Sequence, residues 1–244
     1  MAGERLDKIL CYMGYGTRKE VKALVKEGNV EVNSVRVRDS AVHVNPEEDE
    51  IYIYGEKLEY RKYIYIMLNK PKGVISATLD NIDETVIDLL PDEYKIFNPA
   101  PVGRLDKDTE GLLLITNDGE LNHMLLSPKH HVAKKYYAEI DGVVTDEDVL
   151  KFSKGVVLDD GYKTLPSKLH IINSDKISKV DIIIYEGKFH QIKRMFETVN
   201  KSVIYLKRYE MGPLKLDENL SPGEYRLLTD EELESLKLKR DVNE

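Results

Sequence analysis

Val102-Gly103-Arg104-Leu105-Asp106-Lys107-Asp108-Thr109-Glu110-Gly111-Leu112-Leu113-Leu114-Ile115-Thr116-Asn117-Asp118-Gly119 is the stretch on which the fold turns. It begins as a polar, glycine-bounded loop crowded with ions. It becomes an apolar run that ends at Thr116 and stops at a turn, Asn117-Asp118-Gly119. An apolar run bounded by turn residues reads as a buried strand. A rigid strand with an acidic loop at its mouth can hold a carboxylate where a substrate reaches it. The same ions also suit an ordinary solvated loop with one Asp making the turn. A calcium-loop reading of Asp106-x-Asp108-x-Glu110-Gly111 fails, because its twelfth position is Asn117 rather than a bidentate Glu.

Upstream, Tyr63-Ile64-Tyr65-Ile66-Met67-Leu68 is a strongly strand-forming run that Asn69-Lys70-Pro71-Lys72-Gly73 should break. A short helix is expected at Thr85–Leu90, followed by a turn at Pro91. Downstream, Leu121, Met124, Leu125 and Leu126 predict a helix stopped by Ser127-Pro128. The chain then passes from a basic loop at Lys129 to a strand through Lys134-Lys135-Tyr136-Tyr137, with Tyr137 facing away from Tyr136. His130 and His131 lack a second ligand pair at zinc-finger spacing. A helix over 146–153 and strands at 156–158, 165–172 and 180–185 complete a mixed sheet. The fold class is therefore α+β rather than doubly wound, and no Gly-x-Gly-x-x-Gly or Walker loop is present.

The segment Glu186-Gly187-Lys188-Phe189-His190-Gln191-Ile192-Lys193-Arg194-Met195-Phe196 predicts a helix opening near residue 190, with Ile192, Met195, Phe196 and Val199 turned to the core. Lys193 and Arg194 then occupy its first turn, where cations oppose the helix dipole and call for an anion nearby. Lys188, Lys201, Lys207 and Arg208 extend this basic patch, with Glu197 its only acid. Such a local excess suits a phosphate-lined groove.

Residues 1–58 read as a separate small module. Leu6, Ile9, Leu10 and Met13 recur at helical spacing, and a second helix opens with Thr17 and Glu20 as a capping box and stops at Gly28. Arg18, Lys22 and Lys26 line one side of it, with Lys19 adjacent. The stripe fits either a solvated face or phosphate contacts. Val30, Val32, Asn33-Ser34, Val35 and Val37 read as a tight hairpin, Ile51–Tyr54 as a closing strand and Gly55–Glu59 as a linker. The second domain is expected over 59–235, with 236–244 as a tail.

The whole chain has 244 residues, 41% hydrophobic and 33% charged, with 36 basic and 44 acidic side chains giving a net charge of -8. This excludes a protein that coats nucleic acid indiscriminately, though not one with a local basic groove. One cysteine, Cys11, rules out an internal disulfide and a thiolate-rich metal site. With no apolar signal segment and no run of transmembrane length, the expected location is the cytoplasm.

Gly103-Arg104-Leu105-Asp106, continuing through Asp108-Thr109-Glu110-Gly111-Leu112-Leu113-Leu114, resembles the signature loop of the bacterial ribosomal RNA pseudouridine synthases, most closely the branch acting on small-subunit (16S) rRNA. Three further elements agree: Asn69-Lys70-Pro71-x-Gly73, the Lys-x-Tyr motif at Lys134-Lys135-Tyr136, and Glu186-Gly187-Lys188-x-His190-Gln191-Ile192-Lys193-Arg194-Met195. The resemblance implies that Asp106 is catalytic, that Lys193 pairs with it, and that Tyr136 stacks near the target base and takes part in its proton chemistry. Ile192 would line the base pocket, and Arg104, Lys188 and Arg194 would contact RNA. The N-terminal module resembles the S4-type RNA-binding domain, which assigns RNA contact to Arg5, Thr17, Arg18, Lys19, Lys22 and Asn33. Ser34 departs from the Gly usual at the hairpin turn.

The implied reaction breaks the N1–C1′ bond of a uridine, rotates the base and rejoins it through C5. Asp106 would attack the ribose or the pyrimidine ring, or first take the 2′ proton. No metal, cofactor or redox partner is called for, and the expected partner is small-subunit rRNA, met by a monomer. A non-catalytic RNA-binding or ribosome-assembly factor would also explain the basic patches. A hydrolase built on Ser76 and His190 lacks a nucleophile elbow.

Overall fold

Glu4-Arg5 forms the first strand, β1, of the computed structural model, which describes residues 3–241. Helix α1 (Leu6–Tyr12) turns Leu6, Ile9 and Leu10 inward. Helix α2 (Arg18–Lys26) opens at the expected capping box: the Glu20 N–H donates to the Thr17 hydroxyl, and the Thr17 N–H donates to the Glu20 carboxylate at 2.7 Å. Val21, Leu24 and Val25 pack inward, and Gly28 stops the helix. β2 (Val30–Val32) and β3 (Val35–Val37) form the expected hairpin. Asn33 and Ser34 sit at φ 50° and 65°, the two left-handed residues of a type I′ turn, so Ser34 takes the conformation that glycine adopts more cheaply.

β4 (His43–Val44) pairs with β1, and β5 (Ile51–Ile53) pairs with β2. The segment expected to be a linker instead folds back on β5 as β6 (Glu56–Lys57), through a second left-handed pair at Tyr54 and Gly55. These elements enclose an apolar core that includes Leu6, Leu10, Val21, Val25, Val30 and Ile51. The compact unit comprises the chain up to Ile64 together with Pro91–Asn98. Helix α3 (Asp92–Lys95) lies in that second piece. No helix forms at Thr85–Leu90. Thr85 and Asp88 exchange capping-box bonds, the Asp88 carboxylate accepting from the Thr85 N–H and hydroxyl at 2.8 Å, but i+3 turns follow and Pro91 ends the segment, so that the helix starts only after it.

The second unit comprises Tyr65–Leu90 and the chain from Pro99 onward. Its strands are β7 (Tyr65–Lys70), β8 (Ala100–Pro101), β9 (Glu110–Thr116), β10 (Lys134–Asp141), β11 (Lys168–Asn173), β12 (Ile177–Ile184), β13 (Ser202–Met211), β14 (Leu214–Lys215) and β15 (Tyr225–Leu227). They make one mixed sheet in the order β11-β12-β10-β13-β9-β7-β15, with β8 added to β9 and β14 to β13. Only the β9–β13 join is parallel, through Glu110–Lys207 and Gly111–Arg208. β9 is buried on both faces, as its unbroken apolar run requires.

Helices α4 (Gly119–Leu126), α5 (Asp146–Ser153), α6 (Gln191–Glu197) and α7 (Asp230–Asp241) complete this unit, and the α+β class is as expected. Asn117-Asp118-Gly119 is less a free turn than the start of α4, since the Asp118 carboxylate accepts from the Glu120 and Leu121 N–H groups. The strand expected at 156–158 is reduced to a single bridge, Val157–Lys163, and β11 begins at Lys168 rather than Leu165. Leu236, expected in a tail, is fully buried on α7, while residues 242–244 lie outside the described residues. Among the described residues no helix is long and apolar enough to cross a membrane.

Candidate active site

β7 continues two residues past the expected break, so that Asn69 and Lys70 stay in the strand and Pro71-Lys72-Gly73 makes the turn. Lys70 is fully buried and donates from Nζ to the carbonyls of Thr109 and Pro71, each at 2.9 Å. It is a prop beneath the acidic loop rather than a surface contact for nucleic acid. The loop is tied down elsewhere too. Ser76 Oγ donates to the Leu105 carbonyl at 2.9 Å and accepts from the Leu105 N–H at 3.0 Å. The Gly73 N–H donates to the Lys107 carbonyl at 2.7 Å, and the Lys107 ammonium meets Asp83 at 2.6 Å. Ser76 thus serves the backbone of residue 105.

Burial pushes the Lys70 ammonium down to about 8, against the pull of Asp106, Asp108 and Glu110. Between that value and the ordinary 10.5 the unfolded chain binds more protons than the folded one, so this contribution to stability rises with pH. The ceiling is about 1.4 kcal/mol per pH unit. Urea unfolding between pH 8 and 9.5 should show a shallower rise in Lys70→Met than in the wild type. Identical slopes would contradict the buried, charged state of Lys70.

The loop opens on a cleft of about 940 Å³. Asp106, its side chain 26% exposed, lies on the wall, with Lys193 Nζ 3.4 Å from Oδ2. His190 Nε2 stands 3.7 Å from Oδ1, too far for a hydrogen bond. Lys193 is closer still to Asp108, at 2.6 and 2.8 Å. Burial works against the charged form of Asp108, but the Lys193 ammonium outweighs it and holds that carboxyl below the usual range. The anions that the first turn of α6 calls for are therefore protein carboxylates.

Tyr136, Ile192, Lys188 and Arg104 line the same cleft, together with Lys134, Phe189 and Arg208. Tyr136 is buried within it, whereas Tyr137 leaves by the other face of β10 and packs edge-on against Tyr205. Arg104 is exposed and has no ion pair among the described residues. Lys188 lies 4.5 Å over the Tyr162 ring. Phe189 is exposed and stacks on His190 at 3.8 Å.

Arg194 does not join this group: it is held by Asp159 and Asp160, the latter at 2.7 Å. Lys201 is likewise taken by Asp148 at 2.9 Å. The six-cation patch thus reduces to three cleft-lining members, Lys188, Lys193 and Arg208. Among the described residues, no three His, Cys, Asp or Glu side chains group so as to hold a metal ion.

In the N-terminal unit, three expected RNA contacts are already engaged in the fold. Arg5 forks onto Asp7 at 2.7 and 3.0 Å. The Thr17 hydroxyl is committed to the capping box. Asn33 donates to Asp49 at 2.8 Å and accepts from the Glu50 N–H at 2.9 Å. Arg18, Lys19 and Lys22 are exposed, without an ion pair among the described residues.

The family model for RNA pseudouridylate synthase matches residues 64–198, and that for the S4 domain matches residues 4–51. An uncharacterized RNA pseudouridine synthase of Bacillus subtilis (strain 168) is 51% identical, over 95% of this chain and 98% of that protein. Ribosomal small subunit pseudouridine synthase A of Vibrio vulnificus (strain CMCP6) is 41% identical, over 95% and 99%. Ribosomal large subunit pseudouridine synthase B of Bacillus subtilis (strain 168) is 39% identical, over 98% and 97%. A crystal structure of a pseudouridylate synthase superposes with a TM-score of 0.66 at 35% identity, covering 95% of this chain and 99% of that one.

Proposed function

Since this chain belongs to the RNA pseudouridylate synthase family and is an isomerase with an S4 domain, we propose that it converts a specific uridine of small-subunit (16S) ribosomal RNA to pseudouridine, with Asp106 as the catalytic carboxylate. The observation that carries the reading is the Asp106 carboxylate in a cleft wall with Lys193 at 3.4 Å and Tyr136 and Ile192 beside it. Similar proteins include both small- and large-subunit enzymes, so the choice of 16S rRNA rests on the Gly103-Arg104-Leu105-Asp106 loop and its continuation.

The target nucleotide leaves the RNA stack and enters the cleft, where Tyr136 offsets the lost stacking. Arg104, exposed at the mouth, fills the vacated space or grips a phosphate. Asp106 attacks the ribose or the ring, or takes the 2′ proton, and Lys193 keeps its carboxylate in place. The net reaction is a redox-neutral isomerisation. The enzyme is proposed to act as a cytoplasmic monomer on RNA or an assembly intermediate. Purified protein given unmodified 16S and 23S transcripts should form pseudouridine at one position of the 16S RNA. Modification of the 23S RNA instead would overturn the target, and modification of neither, whether as free transcripts or assembled with ribosomal proteins, would overturn the substrate class.

Arg18, Lys19 and Lys22 are proposed to position the RNA through its phosphates. Reversing the charge of Arg18 and Lys22 should weaken binding, most strongly at low salt, and flatten the salt dependence by about one unit of slope per lost phosphate contact. The fold should persist, because both side chains are exposed and the cap and inner face of α2 are untouched. Single-turnover rates at saturating RNA should change much less than affinity. Unchanged binding and slope would show a merely solvated face.

A further inference from the structure

Two cations lie in the floor of the cleft, out of reach of ordinary solvent contact: Lys134 is 6% exposed and Arg208 only 2%. They come from adjacent strands. Tyr136 on β10 is paired in register with Arg208 on β13, and Lys134 lies two residues along β10 on the same face as Tyr136. Lys134 donates to the Val132 carbonyl at 3.0 Å. Burial, assisted by Arg208, pushes its ammonium down to about 8.

Arg208 donates from Nε to the Leu112 carbonyl at 2.8 Å, and its terminal nitrogens have no protein partner among the described residues; Nη2 is wholly enclosed. A guanidinium carries five N–H donors, and buried donors are seldom left unmet. Glu186, the carboxylate whose field reaches Lys134, is already taken by the Tyr162 hydroxyl, the Leu165 N–H and Gln191. The floor therefore holds positive charge with donors to spare beside the tyrosine expected to stack on the target base.

We propose that Arg208 donates to a ring carbonyl oxygen of the target uracil and, together with Lys134, stabilises the negative charge the ring acquires when its glycosidic bond breaks. This rests on the pseudouridine synthase reading. When N1–C1′ breaks, its electron pair goes to the ring and spreads over N1, O2 and O4. C5 then bonds to C1′, the C5 proton leaves and N1 gains one, so the isomerisation balances without a further reactant. A base oxygen fits better than a phosphate, because the flipped base goes deepest into such a site while the backbone stays near the mouth, where Arg104 and Lys107 are exposed. Fixed donors aimed at developing charge in a dry site are worth about 10²–10³ in rate.

The test uses the full-length enzyme and a substrate rRNA carrying uridine, 2-thiouridine or 4-thiouridine at the modified position, with tritium release from C5 as the readout. Arg208→Lys and Arg208→Gln are compared with wild type at saturating RNA, and circular dichroism checks the fold. On uridine the variants should be slowed about 100-fold with RNA affinity within about threefold. On whichever thiocarbonyl replaces the contacted oxygen, the gap between wild type and variant should shrink to about tenfold or less, because sulfur accepts more weakly and the ring bears charge more easily. The same gap on all three RNAs would overturn the contact and leave Arg208 a structural residue. Wild type that forms no pseudouridine in any rRNA overturns the function itself and this inference with it. If neither variant folds, the wild-type complex with substrate RNA decides: a uracil oxygen within hydrogen-bond distance of an Arg208 terminal nitrogen supports the assignment, and a water or nothing there overturns it.

Discussion

Asp106→Asn should lower pseudouridine formation by about 10⁴-fold or more, the scale seen when an enzyme loses its attacking group. RNA affinity should stay within about threefold, since the amide keeps the size of the side chain. The separation of the two effects follows from the ion pairs around Lys193. Its ammonium is 3.4 Å from Asp106 but 2.6 Å from Asp108, so neutralising Asp106 does not leave a cation unpaired. The backbone at residues 105–109 is also held independently of the Asp106 side chain, by Ser76, Gly73 and Lys70. Single-turnover assays alongside equilibrium binding check this. A variant with near-normal turnover would remove Asp106 from the reaction, and one that loses binding equally would make it a structural residue.

Gly111→Ala should be the most damaging small substitution in the catalytic unit. Gly111 sits at φ +103°, where β9 meets β13 in parallel, and a Cβ there would lie 2.1 Å from the Arg208 carbonyl oxygen and 3.0 Å from its carbon and nitrogen. All three are backbone atoms, so no rotamer change relieves the contact. The strands must part or the peptide must turn, at an expected cost of about 2–5 kcal/mol, of which roughly 1–3 comes from overpacking and 1–2 from the left-handed backbone. Gly73→Ala is the control, because its φ is +95° but a Cβ there would meet nothing within 4 Å. It should cost about 1–2 kcal/mol, from backbone strain alone. Urea unfolding of both variants measures the difference, and equal losses would show that the close approach to Arg208 is not what requires glycine.

What the sequence shows of this fold is what depends on near neighbours. The Thr17–Glu20 capping box, the Asn33-Ser34 hairpin, the Leu112–Thr116 strand and the buried face of Ile192, Met195 and Phe196 each follow from periodicity or turn chemistry within a few residues. The local reading fails where a start signal has too little chain behind it. Thr85 and Asp88 exchange the bonds of a capping box, yet the bonds that follow are i+3 turns, because Pro91 disfavours the helical conformation at Leu90 and ends the segment.

The candidate site divides in the same way. The approach of Lys193 to Asp106 accords with the motif resemblance, but the stronger hold of Asp108 on Lys193 was not legible, since 85 residues separate the pair. Arg194 and Lys193 are adjacent in sequence and look equivalent, but α6 sends one to the cleft and the other to Asp159 and Asp160. Lys70 reads as a turn lysine, and only the extra two residues of β7 carry it into the interior. Arg208 counted as one member of a basic patch, because its place beside Tyr136 depends on the β10–β13 register, which no local pattern encodes.

Whether this chain makes pseudouridine in small-subunit rRNA through Asp106 is decided by quantitative pseudouridine mapping of 16S and 23S rRNA. The RNA is taken from a strain of the source organism lacking the gene, complemented with wild type or with Asp106→Asn. One 16S pseudouridine should disappear on deletion, return with the wild-type chain and stay absent with the variant. A complete pseudouridine map in the deletion strain, or its restoration by Asp106→Asn, would contradict the proposed activity.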